Sequence, residues 1–554
     1  MPAIVHDAYA GQDAKPTGLA RSRMVRAAID RVFERRLAAL VNSRAGGVLA
    51  GGRRGLERET LRVTPQGRVS ARGHPQALGA TLTNPHITTD YSESLLELVT
   101  PTFNDNAALL QYLSDLHHFV YHHLEDELLW AASMPGEIAG EHEIPIASYG
   151  RSHRGKFKEV YRRGLQTRYG GLMQAIAGAH FNFSFPAQFW PVWAEVRAVR
   201  QVDAAFISRA YFELLRNFRR HGWLVLYLFG NSPALCRSFL QDRSDSELQP
   251  LHPGTLHLPY ATSLRMSDLG YRNRNQAGVE VSLNALDDYL RDLRHATHTV
   301  HPPFAALGVR VEGEYRQLNA NVLQIDNEFY SSIRPKRVPA AGESQSSALA
   351  RGGAEYVEVR SLDLCAFEPV GASADELHIT EALLAQCLLR TSAPLGATDQ
   401  QELEHNHLQV ARRGRTPGLM LKRDGRAVLL QDWAAELLDG LQGVCELLDR
   451  GESARRYQGA LARQLAKLQE PELTPSARLL REVKLAEGNF AAWSCAISAQ
   501  HRTRLLAGAG HAPAVQQQFV AEAAESLVER AVIERADRGS FDDYLRRTLG
   551  PDIA

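Results

Sequence analysis

The sequence predicts an α+β fold, a mostly antiparallel sheet with one acidic face, followed by a helical C-terminal part. Three observations carry this expectation. Four segments, at 55–63, 94–100, 179–185 and 355–361, alternate apolar and polar residues with the period of a strand. Each turns ionisable or amide groups to one side. Beyond about residue 374 the strand signals give way to apolar spacing of helical period.

Residues 1–18 mix Gly, Ala, Asp and Pro, hold no apolar signal core, and read as a mobile tail. From 19 to 41 Val25, Ile29, Val32, Phe33 and Leu37 fall at helical spacing, while Asp7, Asp13, Asp30 and Glu34 argue against an organelle-targeting segment. The chain therefore divides into an N-terminal tail and helix over 1–43, an α+β region over 44–373 and a helical region over 374–554.

In the segment 55–63, Glu57, Glu59 and Leu61 share one face, and Leu56, Arg58 and Thr60 the other. Two carboxylates about 7 Å apart at an effective dielectric of about 20 repel by on the order of 2 kcal/mol, so something cationic must lie over them. Thr88–Tyr91 leads into Ser94–Thr100, which places Asp90 and Glu97 in or beside apolar strand sequence, where an unpaired acid is costly. Residues 105–130 read as a helix. Its His118 and His122 have no third zinc ligand nearby, so these and the adjacent His117 and His123 are read as structural. Gly150 to Phe157 matches Gly-x4-Gly-Lys, but Phe157 stands where a phosphate-binding loop needs Ser or Thr, and no buried strand precedes it.

The segment 179–185 alternates strictly, with His180, Asn182 and Ser184 against three phenylalanines. Residues 195–229 read as a helix packed through Phe206, Tyr211, Leu214, Leu215 and Phe218, and 241–256 as a loop. Residues 340–353, small, polar and glycine-bounded, read as a mobile connection or lid. In the strand that follows, Glu358 and Arg360 share a side opposite Val357 and Val359. Helices are expected near 375–392, 399–413, 431–450, 454–469, 475–508 and 514–535.

One sheet face would thus carry Glu57, Glu59, Asp90, Glu97, His180, Glu358 and Arg360. Five carboxylates and one imidazole against one arginine favour a metal over separate pairing of each acid with a surface cation, and oxygen ligands with a single histidine suit Mg²⁺ or Mn²⁺. With 554 residues, 44% hydrophobic and 23% charged, the chain can bury a large core. Lys+Arg and Asp+Glu are both 63, so net charge calls for neither nucleic acid nor an anionic membrane as partner. No apolar run reaches the ~20 residues that span a membrane. Cys236, Cys365, Cys387, Cys445 and Cys495, odd in number and without a Cys-x-x-Cys, point to a reducing cytoplasm without disulfides.

The motifs at Gly55–Val63, Ile87–Tyr91, Gly178–Ser184, Leu258–Tyr271, Ile333–Arg337 and Glu355–Arg360 together resemble the glutamate-cysteine ligases of the proteobacterial type. The resemblance is strong from about Arg53 to about Pro369 and weaker through the helical part. It implies a glutamine-synthetase-like fold, with 44–373 as the catalytic region. It also implies ATP-dependent joining of the L-glutamate γ-carboxylate to the L-cysteine amine, the first step of glutathione biosynthesis. In those terms Glu57, Glu59, Asp90, Glu97, His180 and Glu358 would hold two or three divalent ions. Arg360 would serve the transferring phosphoryl group beside Glu358, with Arg334 as a further phosphate contact. Arg265, Tyr271, Asn327 and Tyr330 would bind the amino-acid substrate, an arginine being suited to clamp an α-carboxylate. Two rivals are a two-metal phosphohydrolase, which would need no amine substrate, and a catalytically inert metal-binding scaffold, against which the intact acid set argues.

Overall fold

Strand β1 (Arg53–Val63) is the axis of the molecule, because three other strands pair with it. The computed structural model describes residues 31–43, 47–241, 243–270, 279–451, 453–508 and 512–550. β2 (Ile87–Thr89) and β3 (Leu95–Val99) form a hairpin, and β3 lies antiparallel to β1. β4 (Leu128–Leu129) pairs with the far end of β1, and β5 (Gly178–Ser184) with its other edge. β6 (Ala234–Cys236), β7 (Gln249–His252) and β8 (Thr255–His257) make a separate three-stranded sheet, and β9 (Arg310–Val311) and β10 (Glu314–Tyr315) a short hairpin. β11 (Ile333–Lys336) and β12 (Tyr356–Asp363) complete the main sheet in the order β11-β12-β5-β1-β3-β2. All its pairings are antiparallel. The α+β fold with a mostly antiparallel sheet is therefore as expected.

Directly opposed residues share a face, so the register itself assembles the polar surface. Glu59 lies opposite Glu97, Glu57 opposite His180, and Glu358 opposite both Asn182 and Arg334. A slip of one residue would turn every one of these groups into the core. Between Val359 and Leu362 the register shifts, so that Arg360 and Ser361 together face the single residue His180. Such a bulge bends its strand and re-aims a side chain. Here that side chain is Arg360.

On the opposite face Leu56, Leu96, Leu98, Phe181, Phe183, Val357 and Val359 are each at most 1% exposed. Helices Asn106–His122, Ala204–His221 and Trp223–Phe229 cover them. Behind these lies the Ala374–Leu389 helix, buried from Glu376 to its last residue, against which Leu430–Leu448 and Arg456–Gln469 pack.

Several elements differ from expectation for identifiable reasons. The histidine-bearing helix ends at His122, and the chain returns to the sheet as β4. The expected 195–229 helix starts at Ala204, where Asp203 accepts from the Phe206 amide, and is divided at Gly222. Residues 241–256 are not all loop, since β7 and β8 lie at their end. The expected lid instead contains the Gln345–Gly352 helix, capped by Ser344 and anchored by buried Ala348 and Leu349. A single helix over 475–508 is two, Pro475–Leu485 and Phe490–Ala507, broken at Glu487 and Gly488, both at positive φ. Within the helical part β13 (Met420–Arg423) and β14 (Arg426–Leu429) form a hairpin around Asp424-Gly425, with φ of 51° and 75°, the turn that Asp-Gly favours. Among the described residues no helix is long and apolar enough to cross a membrane.

Candidate active site

His180 is the hub of the polar face. Its Nδ1 lies 3.2 Å from Glu57 Oε2 and 3.8 Å from Glu358 Oε1, and its Nε2 lies 3.5 Å from Glu59 Oε1. Three different strands supply these groups. Glu57, His180 and Glu358 each offer a ligand atom within 4.8 Å of the others. Glu59, His180 and Glu358 are 3%, 4% and 2% exposed, so their charges are removed from solvent. Neighbours orient them: the Asn182 Nδ2 donates to Glu57 Oε1 at 2.8 Å, and the Gly178 amide donates to Glu59 Oε2 at 2.7 Å.

The acids separate into two kinds. Burial opposes ionisation of Glu358, but Lys336 at 3.4 Å, Arg360 at 3.1 Å and His180 outweigh it and hold the carboxyl well below the usual range. Glu57 is likewise lowered, its burial being outweighed chiefly by the His180 hydrogen bond. Glu59 goes the other way, raised by burial and by Asp90. Glu97 is raised furthest, by burial first and then by repulsion from Glu57, Asp90 and Glu59. The β1–β3 side of the cluster therefore holds more negative charge than its protein neighbours can compensate. Hard oxygen donors with one imidazole in such a cluster fit a divalent ion of the Mg²⁺ or Mn²⁺ class.

Beside the acids a pocket is bounded by Glu59, Asp90 and Tyr91 on one side and by Asn327, Tyr330, Arg334 and Arg360 on the other. The Nε atoms of Arg334 and Arg360 have no hydrogen-bond partner. Burial and the neighbouring Arg360 lower the pKa of Arg334. Burial also acts against the charge of Arg360, yet Glu358, Glu59 and Glu57 raise it above the ordinary arginine value. The lining thus combines the acids Glu59, Asp90 and Glu328 with the guanidinium groups of Arg162, Arg334 and Arg360, an arrangement suited to a cation-bound phosphate or carboxylate.

Of the expected substrate residues, Asn327 and Tyr330 line this pocket. Arg265 is 1% exposed, and its Nη2 donates to the Arg360 carbonyl at 3.0 Å. It lies tight against Gly178, where a Cβ would come within 2.0 Å of Nη2. It is not among the residues bounding the pocket. Tyr271 lies outside the described residues. The third wall was missed in sequence: Tyr161, Arg162, Leu165 and Tyr169 of the His153–Tyr169 helix, followed by Met173 and Gln174. The spacing of Tyr161, Leu165 and Tyr169 was the available signal, since residues four apart share a helix face. The helix itself opens inside the Gly-x4-Gly-Lys sequence, and Lys156 lies 4.8 Å over the Phe541 ring. Lys336 and Asn182, which orient Glu358 and Glu57, were also unremarked in that role.

The family model described as glutamate-cysteine ligase matches residues 37–410. A glutamate-cysteine ligase from Azotobacter vinelandii is 48% identical over 518 residues, 93% of this chain and 97% of that protein. One from Alcanivorax borkumensis is 44% identical over 93% of this chain and 98% of its own length. Among solved structures, the Francisella tularensis glutamate-cysteine ligase in complex with AMP superposes with a TM-score of 0.84 at 34% identity, covering 90% of this chain and 97% of that one. A bifunctional glutathione synthetase from Pasteurella multocida shares the fold, with a TM-score of 0.65 at 21% identity over 91% of this chain and 57% of that one. Matched by the family model over residues 37–410 and by curated relatives at 44% and 48% identity over nearly their whole lengths, the chain belongs to the glutamate-cysteine ligase family.

Proposed function

We propose that the acidic face and the two-arginine wall are the two halves of a phosphoryl-transfer site. The reaction is the ATP-dependent joining of the L-glutamate γ-carboxylate to the L-cysteine amine, the γ-glutamylcysteine-forming step of glutathione biosynthesis. A carboxylate is a poor acyl donor, so its γ-oxygen first takes the terminal phosphoryl group of ATP, giving γ-glutamyl phosphate and ADP. The cysteine amine then attacks the acyl carbon, phosphate leaves, and the amine loses a proton.

The observation that carries this reading is the convergence of Glu57, His180 and Glu358 from three strands within 4.8 Å, beside a pocket containing Arg334 and Arg360. Glu57, Glu59, Asp90, Glu97, His180 and Glu358 would hold two or three ions of Mg²⁺ or Mn²⁺. Ions held there would supply positive charge to offset the negative charge of the triphosphate and the γ-carboxylate. Glu358 also fixes Arg360 Nη1 at 3.1 Å, which leaves the remaining donors of that guanidinium for the phosphoryl oxygens. Arg334 is the second phosphate contact. Asn327 and Tyr330 bind the amino-acid substrate, with Tyr271 in the same set. Arg265 positions Arg360 through its carbonyl rather than serving as the exposed carboxylate clamp. The glutamine-synthetase-like character of the sheet belongs to the same proposal, supported by the acidic face on antiparallel strands. Five free cysteines, three of them buried, support a cytoplasmic setting.

The test is ADP release with L-glutamate, Mg·ATP and either L-cysteine or L-2-aminobutyrate, with mass identification of the dipeptide. The nucleophile is the amine, so replacing the thiol by methyl preserves turnover at a cost of about 1–3 kcal/mol in specificity. Strict dependence on the thiol, or ADP release unchanged without any amine, contradicts the mechanism.

A further inference from the structure

A second cavity, of about 310 Å³, opens beside the first turn of the Ala374–Leu389 helix and shares no residue with the pocket above. Its wall includes Phe229, Cys365, Glu368, Asp375, Glu376 and Lys467. Glu376 is 1% exposed, and neither of its carboxylate oxygens has a hydrogen-bond partner. Leaving a buried acceptor unmade costs free energy, so such a group marks a place where something else completes it. Two of the other charges in the wall, Asp375 and Lys467, are already engaged. Arg463 donates twice to Asp375 at 2.6 Å. Lys467 donates to the Leu228 carbonyl at 2.8 Å and lies 4.6 Å over the Phe229 ring.

Two orphan acceptor oxygens on one buried carboxyl group select an occupant with several N–H donors, and a primary ammonium group supplies three. Phe229, Ala374 and Pro475 provide apolar wall for a short alkyl part. We propose that this cavity binds the primary ammonium group of a small organic molecule, an alkylamine or an amino acid, through the carboxylate of Glu376.

The site has a directional pH dependence. Burial, reinforced by Asp363 and Glu368 and opposed by the Ser373 backbone N–H and Lys467, pushes Glu376 up to about 8. Burial brings Lys467 down to about 8, with Cys365, Asp375 and Glu376 acting against the fall. Burial also pushes the facing Cys365 thiol up to about 12, so it stays neutral throughout. Raising the pH through 8 therefore ionises the acceptor and discharges the competing cation, and both changes favour a bound ammonium. An alkylamine keeps its proton to a pKa of about 10.4.

The experiment is calorimetric titration of the full chain with ethylammonium chloride and with L-alanine, at pH 7 and pH 9 and fixed ionic strength, with KCl as control. Saturable ethylammonium binding is expected, about tenfold tighter at pH 9, lost in Glu376→Gln and strengthened at pH 7 in Lys467→Met. Glu376→Gln keeps its ligase turnover, which shows that the variant is folded. Tighter binding of L-alanine assigns the site to amino acids, and weaker binding assigns it to alkylamines. Equal heats with KCl, undiminished binding in Glu376→Gln, weaker binding in Lys467→Met, or no saturable binding overturns the proposal.

Discussion

Even-numbered residues of β1 turn Arg54, Arg58 and Arg62 toward the helices, whereas Glu57 and Glu59 turn to the opposite side. The arginines are almost wholly buried, and each has hydrogen-bond partners within the protein through its terminal nitrogens, although the Nε atoms of Arg58 and Arg62 have none. Arg54 donates through Nε to Glu381 at 2.8 Å and also meets Tyr457, and Arg62 donates to both oxygens of Glu127 at 2.9 and 3.2 Å. Arg58 has His117 and the Trp130 carbonyl as partners, and burial brings its pKa down to about 10. Across the strand, Glu59 and Glu97 face each other in register and are both raised, Glu59 by burial and Asp90, Glu97 by burial and by repulsion from Glu57, Asp90 and Glu59. The comparison separates charge buried to build the fold from charge buried to receive a ligand. The first closes on itself, and the second is left in excess.

Breaking the closed side costs stability. Glu381→Leu strands Arg54 in the core and should destabilise the protein by about 3–5 kcal/mol in urea unfolding, with turnover per folded molecule retained. Loss of turnover without loss of stability would contradict the division. Breaking the open side costs activity instead: Glu59→Gln should lower kcat by roughly 100-fold or more at saturating Mg²⁺, by analogy with the loss of a single transition-state electrostatic contact. Its unfolding midpoint should stay at or above that of the parent. Near-parental turnover would remove Glu59 from the site.

The smallest effect has the most informative sign. Glu97 is raised above its unfolded value, so in metal-free protein its ionised form costs stability as pH rises from the unfolded value through the folded one. Glu97→Gln removes that cost. Metal-free Glu97→Gln should melt above the parent at pH 7. The advantage should vanish in calorimetry below about pH 4. Glu57 and Glu358, which are lowered, lose stability on acidification instead, so only the difference between the two proteins isolates Glu97.

Strand alternation made most of the acidic face legible, because period and polarity alone place Glu57 beside Glu59 and His180 beside Asn182. Register was not legible: that Glu59 meets Glu97 rather than a neighbour depends on which strands pair, a long-range choice. The bulge at Arg360 and Ser361 did leave a sequence signal, because two polar residues in succession shift the apolar phase from Val357 and Val359 to Leu362 and Leu364. Arg265 illustrates a different limit. Its guanidinium lies against Gly178, a contact between segments far apart in the chain that local pattern does not report. The Asp424-Gly425 hairpin, by contrast, had its turn residues in plain view within a stretch otherwise read as helical.

The most direct test of this division of charge is uptake of Mn²⁺ by metal-free protein, followed by the electron-paramagnetic-resonance signal of the free ion. Without nucleotide, the parent should bind manganese at the acidic face. Glu59→Gln with Glu358→Gln should lose that binding, and Glu381→Leu, held below its melting temperature, should keep it. Parental manganese uptake by the double variant would contradict the assignment of the β1 acids to metal.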